Sequence, residues 1–154
     1  MTYIAYDELV SEFARRTRCN LEAIRSLQRS NPRLELYEVT QLINSMLGLL
    51  VFPQQSFIEE IPPKPLKKLE EEGWPIPKIV GNYPQVKNLN QLVRYLRNAI
   101  THCNIKFIPD ADRQITGLEL WNENERDGVI TWKAIVSINV EMITEKFTAL
   151  LLGF

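Results

Sequence analysis

Apolar residues along the chain fall into several stretches with helical spacing and one region with strand-like alternation. The clearest stretch is Leu89 to Cys103, LNQLVRYLRNAITHC. There Leu89, Leu92, Val93, Leu96, Ala99, Ile100 and Cys103 recur at three- and four-residue steps. At roughly 100° per residue these residues lie within about 60° of Leu96, which predicts an amphipathic helix. Asn88 or Asn90 is its candidate cap, and it is predicted to end near Asn104, before an extended Ile105-Lys106-Phe107-Ile108-Pro109. A first helix is predicted from Asp7 to about Arg29, with Leu9, Val10, Phe13, Leu21, Ile24 and Leu27 on its apolar side. Asn20 leaves open whether this is one long helix or two short ones. Asn31-Pro32 reads as the start of a second helix, Asn as cap and Pro at the first helical position. That helix is predicted to run to about Phe52, with a stripe of Leu36, Val39, Ile43, Met46, Leu47 and Leu50, and to stop at Pro53. A last helix is predicted from about Ile138 to Leu152, and the apolar run Ala149 to Phe154 needs cover from the bundle or another subunit.

Alternation replaces helical spacing in two runs, Ile115 to Trp121 and Val129 to Val136, with the turn cluster NENERDG between them. These predict a hairpin. Residues 53–87 hold seven of the nine prolines, so regular structure there is limited, although Lys64 to Glu72 could make two helical turns. A connection of this length inside a domain is often functional. The expected fold is mainly α: an antiparallel four-helix bundle with a long Pro-rich loop (53–87) and a small inserted β-hairpin (113–136), all in one domain spanning 1–154.

At 154 residues the chain can bury a proper core. With 45% hydrophobic and 24% charged residues, its composition is that of an ordinary soluble domain. The net charge of −1 argues against a protein that coats nucleic acid through general basicity, so any RNA contact needs a local patch. Arg15 to Arg33 is the best such patch, with six arginines against one acid, Glu22, and Arg15 and Arg18 are its candidate RNA-binding residues. Cys19 and Cys103 have neither disulfide-framework nor zinc spacing and read as reduced thiols. The longest apolar run, Met46 to Phe52, is too short to span a bilayer, and no signal-peptide pattern opens the chain. The expectation is a cytoplasmic protein with no membrane contact.

The polar side of the Leu89–Cys103 helix carries Arg94, Arg97, Asn98, Thr101 and His102, with no acid in the stretch. His102 is the only histidine in the chain. Such a face is commonly just solvated. Here Asn98 and His102 are one turn apart, and Arg97 has the reach to share an anion with them.

The run Arg97-Asn98, three residues, His102 (RNAITH) resembles the signature of the HEPN family, the "higher eukaryotes and prokaryotes nucleotide-binding" helical domains. The hairpin before the last helix also resembles a plasmid-borne branch of that family. The resemblance implies a helical bundle that dimerises, with two motifs facing one cleft. It further implies a metal-independent endoribonuclease of toxin or anti-phage type, with RNA as substrate and an antitoxin or defence protein as a further partner. RNA supplies its own nucleophile, the 2′-hydroxyl, so cleavage would leave 2′,3′-cyclic phosphate ends. Histidine suits the proton transfer because its ordinary pKa is near 6.5, and arginine offers a planar fork to phosphate oxygens. Arg97, Asn98 and His102 are the candidate catalytic residues, with Arg94 and Thr101 beside them as RNA contacts. No cofactor or metal is implied: the sequence holds no Asp or Glu between Lys87 and Asp110. One histidine per chain leaves a monomer short of an acid or a base, which a two-fold interface would supply. The alternative is a non-catalytic HEPN-like module binding nucleotide, RNA or a partner protein. Some HEPN toxins carry a tyrosine two residues after the motif histidine, where an antitoxin attaches AMP. This sequence has Asn104 there, which puts that mode of regulation in doubt.

Overall fold

Period-two alternation builds more of this protein than two strands. A computed structural model describes residues 6–51, 61–137 and 146. The elements in chain order are helices α1 (Tyr6–Ser30), α2 (Glu38–Val51) and α3 (Leu66–Glu71), strand β1 (Lys78–Ile79) and helix α4 (Leu89–Thr101). Strands β2 (Ile105–Pro109), β3 (Ile115–Glu123) and β4 (Ile130–Ser137) follow. They fall into two compact units, one holding α1 and α2 up to Leu49, the other running from Leu50 to Asn139.

In the second unit the four strands form one antiparallel sheet in the order β1-β4-β3-β2. Leu118 pairs with Val136 and Leu120 with Ala134, so one face of the β3–β4 pair is a continuous apolar strip. Two strands alone cannot bury such a strip. Leu89, Leu92, Val93 and Ala99 of α4 are buried, as are Leu118, Leu120, Trp132 and Ala134 of the sheet. The Tyr95 ring meets Trp132 edge-on, with centroids 5.1 Å apart. Ile61, Leu69, Pro77 and Val86 join the same core from the proline-rich segment.

The expected four-helix bundle with a β appendage is therefore corrected. The predicted hairpin forms, but as the middle of a four-stranded sheet. The extended run after α4 pairs along β3, and Lys78–Ile79 adds an edge to β4. The proline-rich segment is also more ordered than its composition suggests. Helix α3 is closed just past its Glu72 cap by Gly73, whose φ of 78° lets the Trp74 N–H reach the Leu69 carbonyl at 2.8 Å.

In the first unit α1 is one continuous helix through Asn20, with Ala14, Thr17 and Leu21 buried. Phe13 and Leu27, assigned to its apolar side, are exposed. Asn31-Pro32 does not start α2. The Asn31 side chain accepts the Arg33 N–H at 3.3 Å and closes a local turn, and the helix begins at Glu38. The region of the expected last helix lies outside the described residues except for Lys146, which is helical.

Trp132 is 1% exposed, and its indole N–H is buried without a hydrogen-bond partner among the described residues. Trp132→Ala is expected to cost about 3–5 kcal/mol in urea denaturation. Trp132→Phe should cost much less, because it keeps most of the ring and removes an unpaired donor. Equal costs for the two would contradict this packing.

Candidate functional site

The site begins with how α4 is closed at both ends. At its start Asn88 Oδ1 accepts the Gln91 N–H at 2.9 Å, and Gln91 Oε1 accepts the Lys87 N–H at 2.7 Å. Both satisfy backbone donors that a helix start leaves open. At its end His102 is the cap, and Cys103 takes a left-handed conformation with φ of 58°. The Cys103 N–H then donates to the Ile100 carbonyl at 3.0 Å, and the Asn104 N–H to the Ala99 carbonyl at 2.8 Å. This is a Schellman closure with cysteine at the position glycine usually fills. It turns the chain directly into β2, and the Trp121 N–H donates back to the Asn104 carbonyl at 3.2 Å. Cys103, counted on the apolar stripe of the helix, is exposed as a result.

That reversal sets His102 against the β3–β4 turn. The turn is folded by its own side chains: Asn124 Oδ1 accepts the Arg126 N–H and Asp127 Oδ1 the Val129 N–H, each at 3.0 Å. Gly128, with φ of 68°, supplies the left-handed step. Between turn and helix lies a depression of about 300 Å³. Asn98 and His102 line it from α4, Asn104 from the reversal, and Asn122, Glu123 and Glu125 from β3 and the turn. His102 Nε2 stands 4.0 Å from Glu125 Oε1, with the two side chains 57% and 86% exposed. At that distance and exposure the pair is a weak, screened attraction that needs a protonated imidazole. Glu123 Oε1 accepts the Trp121 indole N–H at 2.6 Å, which fixes one carboxylate at the rim.

The structure thus brings together two of the three candidate catalytic residues, Asn98 and His102. Arg97 is half-buried and, like the exposed Arg94 and Thr101, is not among the residues that line the depression. Four of the five α1 arginines are paired with acids. Arg15 and Arg16 both engage Glu12, whose carboxyl they hold down to about 2 through their hydrogen bonds, and Arg18 pairs with Glu22 at 2.9 Å. Arg25 is tied to Glu38. Glu12 sits one turn ahead of the arginine-rich stretch, so the count of acids inside that stretch missed it.

Sequence reasoning also missed Asn104, Asn122, Glu123 and Glu125. The available signal was the NENERDG cluster, read only as a turn. Its acids are near His102 in space although the helix sequence has none. Among the described residues, no group of three His, Cys, Asp or Glu is placed to hold a metal ion, and no helix is long and apolar enough to cross a membrane.

A helix capped by histidine, a sheet packed on it and an amide-lined depression at their junction define a small α+β module with a polar site. A family model described as HEPN pEK499 p136 matches residues 1–152, and the chain belongs to this HEPN family. No curated protein and no solved structure matches it.

Cys103→Val, which puts a β-branched side chain at a left-handed position, is expected to lower stability by about 1 kcal/mol or more. Cys103→Gly should be neutral or slightly stabilising, although both changes remove the thiol. Thermal unfolding compares the two, and equal melting temperatures would contradict the left-handed closure.

Proposed function

We propose that this HEPN protein is a metal-independent endoribonuclease that works as a homodimer, of the toxin or anti-phage type. The observation that carries the reading is the shared depression of Asn98 and His102, in a chain of the HEPN family with Arg97 at the expected place before them. In the reaction the 2′-oxygen attacks phosphorus, the bond from phosphorus to O5′ breaks, and a 2′,3′-cyclic phosphate remains. The 2′ proton must go to a base, and O5′ must leave with a proton. His102 supplies one of these roles, and its copy across a two-fold axis supplies the other. Asn98, one turn before His102, is placed to donate to a phosphate oxygen, and Arg97 to stabilise the charge of the phosphorane. The antitoxin or defence protein that would restrain such an enzyme belongs to the same proposal.

A second reading, a non-cleaving module that binds nucleotide, RNA or a partner protein, is favoured by one observation. Among the described residues no arginine or lysine lines the depression, whereas two glutamates do. Catalysis requires Arg97 to reach the phosphate from outside it.

Cleavage of single-stranded RNA in EDTA by the full chain separates the two. His102→Ala should lower the rate about 10²–10⁴-fold with RNA affinity nearly intact. Arg97→Lys should also lose activity, because the charge survives but the planar fork does not. Loss of cleavage on chelation, restored by magnesium or manganese, counts against the reading. So does a strictly monomeric mass at micromolar concentration. Retained cleavage in His102→Ala would place the chemistry elsewhere.

Arg15 and Arg18 are proposed RNA-phosphate contacts. Glu12→Gln removes the acid that engages Arg15 and Arg16, so RNA affinity at low salt should rise and its salt dependence steepen. An unchanged affinity would remove α1 from the RNA surface.

A further inference from the structure

We propose that the depression beside His102 is a nucleobase pocket that prefers a base bearing an exocyclic amino group, with the phosphate held outside it. The inference rests on the reading of this site as one for RNA. Its first support is charge. The acids of the depression are Glu123 and Glu125, and among the described residues no arginine or lysine faces them there. Two carboxylates repel a phosphate and favour a neutral group that offers N–H donors.

The second support is unused hydrogen bonding. Asn88, Asn31 and Asn124 spend their side-chain amides on the backbone, as a helix cap or a turn. The side-chain amides of Asn98, Asn104 and Asn122 make no hydrogen bond among the described residues, and all three converge on the depression. Each offers one acceptor and two donors. A side-chain amide matches the amino and ring nitrogens of adenine, and a carboxylate accepts from the amino group of cytosine. Uracil has no amino group to offer either partner. The size agrees, since about 300 Å³ lies at the small end of ligand pockets and suits one base with its ribose.

Position links the pocket to the phosphate. On α4, Arg94 precedes Asn98 by one turn, so one cationic residue neighbours the pocket on the helix surface. A nucleotide seated with its base against Asn104 and Asn122 would leave its phosphate at the α4 edge of the depression, beside Asn98, His102 and Arg94. Asn104 then serves as a specificity residue of the site.

The test titrates adenosine, cytidine and uridine into the full chain by NMR and also measures cleavage rates at the corresponding steps of a single-stranded RNA. Adenosine or cytidine should bind several-fold tighter than uridine. Asn104→Ala and Asn122→Ala should each weaken that nucleoside about 5–10-fold, as expected for one lost hydrogen-bonding group. Neither side chain holds the fold through a hydrogen bond, and an unchanged melting temperature confirms that the variants are folded. Equal binding of the three nucleosides, no binding of any, or unchanged binding by both variants overturns the proposal. Selective binding that both variants weaken, without any RNA cleavage, supports the pocket and removes the nuclease. Cleavage that depends on His102 but is indifferent to base and to both asparagines does the reverse.

Discussion

The left-handed step at Cys103 is the constraint on which the rest of the second unit depends. A helix end leaves its last carbonyls without partners, and here two of them are satisfied by N–H groups of residues already leaving the helix. The same two hydrogen bonds reverse the chain within three residues, so β2 can return alongside β3. Without that return the apolar face of the hairpin would lack one neighbour. His102 is the residue at which the reversal begins, and the closure therefore holds its backbone in place while its side chain stays largely exposed. Packing and chemistry share one piece of backbone.

Charge is divided across this site. Helix α4 contributes the imidazole and the amide of Asn98 and carries its arginines outside the depression, while β3 and the β3–β4 turn contribute two glutamates and the amide of Asn122. An RNA is divided in the same way, into an anionic chain and neutral bases rich in donors and acceptors. On the proposed reading the acidic turn keeps phosphate out of the depression, and Arg94 offers it a place one turn along α4 from Asn98. His102 lies on the border between them. In the proposed reaction a histidine there would meet the ribose hydroxyl, the group whose proton must move.

Helix α4, a cap at Asn88 or Asn90, and the RNAITH run were legible because each is written in local spacing, and the hairpin because alternation and a turn cluster coincide. The sheet was not legible. Of its outer strands, Ile105–Pro109 reads as extended but not as paired, and Lys78–Ile79 is two residues within a proline-rich segment that look like no strand until β4 presents an edge to pair with. The start of α2 was misread because Asn31 can cap a turn as well as a helix, and the sequence does not say which. Glu125 was out of reach for another reason: its proximity to His102 is set by a register between elements that are more than twenty residues apart. On α1 the reading of an arginine-rich patch was shifted by Glu12, which neutralises two of those arginines from one turn upstream.

The central claim is that RNA is cut by its own 2′-hydroxyl with His102 moving a proton. Mass spectrometry of the fragments from a defined single-stranded RNA, incubated with the full chain, tests it most directly. The account requires 2′,3′-cyclic phosphate on the upstream fragment and a free 5′-hydroxyl on the downstream one, with both lost in His102→Ala. Fragments ending in a 3′-hydroxyl and a 5′-phosphate would mean that water or a metal-bound hydroxide attacked instead, and would contradict it.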